Sequence, residues 1–214
     1  MERIGMLGSG DVAKSLAKGF VKHGYSVMMG SRDSSKIADF SREMKLATGT
    51  FQQAASFGDM VVLAVKGLAG ESALSLAGEQ SLNGKIVIDA TNPISDAPPD
   101  SGVLHYFTSL EESLMERYQG KFPSARFVKA FNSVGNAYFV NPDFGGEKPT
   151  MFICGNDEAA KKEVGGVLGK FGWEVADMGG VQAARAIEPL CMLWCIPGIA
   201  KNDWGPRAFK LLKK

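Results

Sequence analysis

The chain opens on a short apolar run, Arg3–Leu7, and similar runs follow at Ser26–Met29, Met60–Val65, Ile86–Ala90, Phe127–Ala130, Thr150–Cys154 and Glu174–Asp177. Most are continuously apolar rather than alternating, the pattern of strands covered on both faces. Between them, amphipathic stretches predict helices over Asp11–His23, Ser34–Met44, Phe51–Phe57, Ala69–Glu79, Leu110–Gln119 and Glu158–Phe171. In the first of these, Val12, Leu16 and Phe20 share one face while Lys14, Lys18 and Lys22 lie away from it. Gly24 follows where a left-handed helix cap is expected. Strands alternating with helices predict an α/β protein, a Rossmann-type doubly wound and mostly parallel sheet. The stretch from Ser95 to Pro123 begins with a proline-rich loop and reads as an excursion from that sheet. From Val181 onward helical patterns replace strands, interrupted at Pro197-Gly198. The expected division is a sheet domain over 1–180 and a small helical C-terminal extension over 181–214.

The first strand runs directly into Gly8-Ser9-Gly10-Asp11-Val12-Ala13, a G-x-G-x-x-A motif that ends inside the first helix. In this strand–turn–helix setting the motif predicts a dinucleotide site. Gly8 permits the tight turn, Gly10 lets the backbone approach a pyrophosphate, and Ala13 keeps the helix close to the sheet. The helix N-terminus, with Ser9, Asp11 and Val12, offers N–H groups and partial positive charge to phosphate. The second strand ends in Gly30-Ser31-Arg32, without the acid that would hold an unphosphorylated ribose. Arg32 supplies a permanently charged fork for a 2′-phosphate, with Ser31 and Lys36 beside it, so NADP is expected rather than NAD. Asp33 is the discordant neighbour and is expected to point away or cap the next helix.

Composition narrows the picture without redirecting it. Over 214 residues, 24 Lys and Arg face 23 Asp and Glu, which argues against a nucleic-acid partner and against disorder. The 26 glycines are scattered at element ends and show no period. Cys154, Cys191 and Cys195 form no CxxC pair; Cys191 and Cys195 share a helix face, but no His lies nearby, and buried free thiols are expected rather than a metal site. No basic and apolar leader precedes Arg3, and the uncharged stretch Pro189–Ala200 is short and carries prolines. The expectation is a cytoplasmic protein with no membrane partner.

The run from Ile4 to Ala13, followed by Gly30-Ser31-Arg32-Asp33, resembles the coenzyme F420-dependent NADP reductase family, which includes the cytosolic reductase domains of six-transmembrane metalloreductases. The similarity continues through Val61–Lys66, Asp89-Ala90-Thr91-Asn92-Pro93 and Val128–Ser133. It implies NADP(H) binding and a homodimer, with coenzyme F420 or a flavin as second substrate. By the same resemblance Ser9, Ser31, Arg32 and Lys36 hold the 2′-phosphate, and Val65 and Lys66 lie under the ribose or nicotinamide. Asn92, Pro93, Ala130, Phe131 and Asn132 border the nicotinamide. These stretches also leave successive strands at the end where ligands sit in open parallel sheets.

Hydride transfer between NADP(H) and a planar deazaflavin or flavin needs the protein mainly to stack two rings. Reduction of a small carbonyl or imine would add a proton donor, for which Lys66, Lys129, His105 and Tyr106 are the candidates. His23 is expected at a helix end behind the site. The aromatic residues Phe107, Tyr138, Phe139 and Trp204 neighbour the ring only if they fold over it, and the apolar run Pro189–Pro197 suits an acceptor pocket or a dimer contact. A small-molecule hydride acceptor is the expected partner. The alternatives are a reductase of small carbonyls or imines and a non-enzymatic NADPH-binding redox sensor.

Overall fold

β1 (Arg3–Leu7) occupies the middle of the fold because its side chains enter two apolar layers in turn: Ile4 and Met6 on one side, Leu7 on the other. The same alternation runs through β4 (Met60–Leu63) and β5 (Ile86–Asp89), where Val62 and Ile88 join the first layer and Val61 and Val87 the second. A strand buried on both faces leaves no polar period, so these segments read as unbroken apolar runs. In the computed structural model, which describes residues 2–212, they join β2 (Ser26–Gly30), β3 (Ala47–Gly49) and β6 (Arg126–Lys129) in one parallel sheet. Its order is β3-β2-β1-β4-β5-β6, the doubly wound Rossmann arrangement.

Two helices, α1 (Asp11–Lys22) and α7 (Glu158–Lys170), cover the first layer with Leu16, Phe20, Val164 and Leu168. On the second lie α3 (Phe51–Phe57), α4 (Gly70–Ala77) and α6 (Leu114–Lys121). The more exposed α2 (Ser35–Met44) buries only Ile37 and Ser41, and α5 (Glu79–Leu82) is little more than a turn. Two of these helices are started by capping boxes, Thr50 with Gln53 and Ser113 with Glu116. The second box sets the start of α6 at Leu114 rather than at the expected Leu110, because residues 109–112 are spent on a tight turn closed by Ser109 and Glu112.

Three other expectations are corrected. The edge strand β3 was not anticipated, since Ala47 and Thr48 are exposed and three residues carry no apolar pattern. Next, β7 (Thr150–Ile153) and β8 (Glu174–Asp177) do not extend the main sheet but pair with each other. β7 approaches β6 the opposite way, so only one antiparallel bridge forms, between Lys129 and Cys154. Its free edge is taken by the C-terminal tail, where the Thr150 N–H donates to the Phe209 carbonyl at 2.8 Å. Finally, the helix α9 (Pro189–Lys201), which follows the short α8 (Ala184–Ile187), runs through Pro197 without a break. Pro197 removes one backbone donor, while the turn that ends the helix comes later, at the left-handed Asn202 (φ 52°). That turn returns Trp204 onto Gly198, with its ring 6.1 Å from that of Trp194.

The helical run Val181–Lys201 spans 21 residues with mean hydropathy 1.3, long and apolar enough by that measure alone to cross a membrane; buried helices of globular domains meet the same measure. Here it carries the buried Glu188 and shares both apolar layers, through Ala184 and Ile187 in one and Trp194 in the other. An ion pair also ties it to α6. Arg185 Nη2 meets Glu116 Oε1 at 2.6 Å and Arg185 Nε meets Oε2 at 2.9 Å. The guanidinium, aided by Ser113, holds the Glu116 carboxyl at about 2. A carboxylate of lowered pKa stabilises the fold above its unfolded value of about 4.3, and that contribution is lost as pH falls toward about 2. Arg185→Met is therefore expected to lose less stability than the parent between pH 6 and pH 3, measured by urea unfolding. Identical losses in the two proteins would remove Arg185 as the cause.

Candidate functional site

β1 and β4 are neighbours whose connections leave on opposite faces, and a crevice opens beyond their C-terminal ends. Two glycines shape it for different reasons. Gly8 has φ +149°, and a Cβ there would overlap the Ala64 carbonyl at the end of β4. Its N–H donates to the Gly30 carbonyl at 3.1 Å, locking the turn to β2. Gly10 is ordinary in conformation (φ −83°, ψ −177°), and a Cβ there would meet nothing within 4 Å. Folding does not require glycine at that position, and the space above the helix end is open. No side chain caps the first turn of α1, so its N–H groups are available to an anion.

The crevice has two connected recesses that share Gly10, Ala64, Val65 and Lys66. The first, about 640 Å³, is lined by Gly8, Ser9, Ser31, Arg32, Asp33, Lys36 and, beyond the expected set, Phe51, Ala69 and Ala73. Arg32 and Lys36 are exposed on its rim. Asp33 is turned to its own helix, accepting from the Ser35 N–H at 3.0 Å and its hydroxyl at 2.6 Å. Those bonds hold the Asp33 carboxyl below its ordinary value. The Ser31 hydroxyl donates to the Asp33 carbonyl at 2.8 Å, so it must rotate to serve a ligand.

The second recess, about 490 Å³, is lined by Asp11, Val12, Thr91 and Asn92 as well as Gly67, Ala90, Ile94, Ser95, Asp96 and Asn136. Both volumes are in the range of small-molecule sites. Ile94, Ser95, Asp96 and Asn136 had no signal in the sequence, because they reach the recess through loop geometry. Asn136 is held by donating to Ser15 Oγ of α1 at 3.1 Å.

Several candidates lie elsewhere. Pro93, Ala130 and Asn132 are buried and do not line either recess; Asn132 instead sits behind Asn92. Lys129 is fully buried among carboxylates, so it is not a proton donor to a substrate. His105 and Tyr106 border a separate hollow of about 360 Å³ beside Arg185 and Met192, where the Tyr106 hydroxyl donates to the Glu188 carbonyl. His23 ends α1 and stacks on Phe171 at 5.0 Å. Phe139 is in the core, Tyr138 packs on Phe144, Trp204 packs on α9, and Phe107 lies under Arg117. All three thiols are free, with Cys154 and Cys191 buried and Cys195 partly so. Burial, ahead of its charged neighbours, pushes the Cys154 thiol up to about 12.

Residues 3–93 match the model of the family described as NADP oxidoreductase, coenzyme F420-dependent. The chain is 34% identical over 201 residues to Metalloreductase STEAP3 of Rattus norvegicus, covering 91% of this chain and 38% of that one. It therefore spans less than two fifths of that relative. It is 28% identical to the F420-dependent NADP reductase of Methanocaldococcus jannaschii, across 87% of each chain. A solved structure from Arthrobacter sp. FB24, described as a candidate F420-dependent NADP reductase, matches with TM-score 0.90 and 29% identity over the whole of both chains. The glycine turn, the crevice beyond β1 and β4 and these matches agree: the chain is similar to the F420-dependent NADP reductases in sequence and in fold.

Proposed function

We propose that the protein transfers hydride between NADP(H) and a planar acceptor of the deazaflavin or flavin type. The lining of the second recess is the observation that supports this reading. Val12, Val65, Ala90 and Ile94 give it apolar walls against which a pair of rings can stack, and Thr91 and Asn92 give it polar groups suited to a carboxamide. NADPH, when bound, supplies the hydride; the acceptor takes it together with a solvent proton. The chain's own part is to hold the pyrophosphate on the turn from Gly8 to Val12 and the 2′-phosphate at Ser31, Arg32 and Lys36. Val65, Lys66 and Asn92 then orient the reacting end. Of the candidate donors, His105, Tyr106 and Lys129 lie outside the crevice and Lys66 alone lines it, so reduction of a carbonyl or imine would rest on Lys66.

The test is purified protein with NADPH and a panel of F420, FMN, FAD, ferric chelates, ketones and imines, followed by loss of the NADPH absorbance. Turnover is expected with F420 or a flavin. Turnover confined to imines or ketones would replace this reading with the small-substrate one. Tight NADPH binding without turnover of any acceptor would favour a sensor.

A further inference from the structure

The ends of β5 and β6 at the crevice are tied together by buried polar groups, and the tie continues into the C-terminal segment. Lys129, the last residue of β6, has no exposed surface. Its Nζ donates to the Thr91 carbonyl at 3.0 Å and lies 2.7 Å from Asp89 Oδ2 and 2.9 Å from Glu188 Oε1. The ammonium group is thus held by one hydrogen bond and two ion pairs. Burial works against its charge, but the two carboxylates outweigh burial and raise its pKa.

The acceptors come from two segments, Asp89 and Thr91 at the end of β5 and Glu188 between α8 and α9. Asp89 uses its other oxygen to accept from the Thr91 N–H at 2.9 Å and hydroxyl at 2.7 Å, so the turn after β5 is gripped from both sides. Glu188, between α8 and α9, also accepts from the Leu114 and Met115 N–H groups that open α6. In parallel, Asn132 Nδ2 donates to the Ile187 carbonyl at 2.9 Å, while Asn92 Nδ2 donates to the Asn132 carbonyl at 2.9 Å. Phe131, with φ +63°, makes the turn that brings Asn132 to Asn92. A bulky residue held in the left-handed region is strained and persists only when its surroundings fix it.

We propose that Lys129 is a positioning residue for the nicotinamide end of the cofactor, and that through Glu188 it makes this half of the crevice depend on the docked C-terminal segment. The proposal rests on the dinucleotide reading above. Thr91 and Asn92 line the second recess while Lys129, Asp89 and Glu188 do not, so the buried cluster acts through the turn it holds. Stability alone does not account for it. Apolar side chains of similar volume commonly replace buried ion groups with no loss of stability. What an ammonium adds is one fixed geometry joining the turn after β5 to the C-terminal segment.

The test compares two ligands by calorimetry. 2′,5′-ADP reports on the first recess, remote from Lys129; NADP+ reports on both. Lys129→Met alone strands two carboxylates, so the working variant is Lys129→Met with Asp89→Asn and Glu188→Gln, which removes all three charges. It is expected to bind 2′,5′-ADP within about twofold of the parent and NADP+ about tenfold more weakly, a difference of about 1.4 kcal/mol. Emission from the reduced ring of bound NADPH is expected to move toward that of the free cofactor. Glu188→Gln alone, which keeps the Lys129–Asp89 pair, is expected to show the same signature at about threefold, and it decides the matter if the triple variant does not fold. Unchanged NADP+ affinity, or equal weakening of both ligands, would overturn the positioning role. Failure of the parent to bind either ligand would instead overturn the dinucleotide reading, and this proposal with it.

Discussion

Gly10→Ala is expected to weaken NADP+ binding about a hundredfold or more while changing unfolding stability by less than about 0.5 kcal/mol. The methyl group enters open space in the protein, so the fold has nothing to resist it. That space lies at the junction of both recesses, over the uncapped end of α1, where a pyrophosphate must approach the backbone. Gly8→Ala should behave differently. Its φ of +149° disfavours any L side chain, and the new Cβ would overlap the Ala64 carbonyl and come within 3.1 Å of the Ala13 Cβ. Separating β1 from β4 and lifting α1 is expected to cost about 3 kcal/mol or more, with binding lost as a consequence. Thermal unfolding and calorimetry on the two variants give the comparison. A Gly10→Ala protein that binds NADP+ normally would show that the open space is not where the cofactor lies.

Arg32→Ala is expected to weaken NADPH by about 30- to 100-fold and NADH by less than about threefold. A charge-assisted pair of hydrogen bonds to phosphate is worth about 2–3 kcal/mol, and only NADPH carries that phosphate. Arg32 stands exposed on the rim of the first recess and Asp33 is occupied by Ser35, so no nearby carboxylate competes for the guanidinium in that role. Fluorescence titration with both cofactors measures the ratio. Equal weakening of the two would assign Arg32 to something other than the 2′-phosphate.

The sheet and the glycine turn were legible in the sequence because local rules govern them. Ile4, Met6, Val62 and Ile88 lie in strands apolar on both faces, and the turn after β1 needs glycine wherever the backbone leaves the allowed region. β3 was not legible, since Ala47-Thr48-Gly49 owes its strand character to a neighbour and not to its own side chains. Nor was the fate of β7, which was decided by the direction of approach and by a tail about sixty residues further on. In the crevice, the residues that follow strands in sequence were found, from Gly8 to Val12 and at Ser31, Arg32, Val65, Lys66 and Asn92. Ile94, Ser95, Asp96 and Asn136 were not, because no spacing rule says which loop residues turn inward. Lys129 shows the converse. Its place at a strand end marked it as a candidate for chemistry, and only burial between Asp89 and Glu188 shows a lysine with no free proton to deliver.

The shortness of β3 has a consequence for the protein in concentrated solution. An open parallel sheet offers unpaired backbone groups at both ends, a template for stacking onto other chains. Here one end is a strand of three residues, too brief to recruit a partner strand in register. At the other, the Lys129–Cys154 bridge turns a second segment across β6. Both margins of the sheet are blunted, which favours discrete particles over edge-to-edge aggregates.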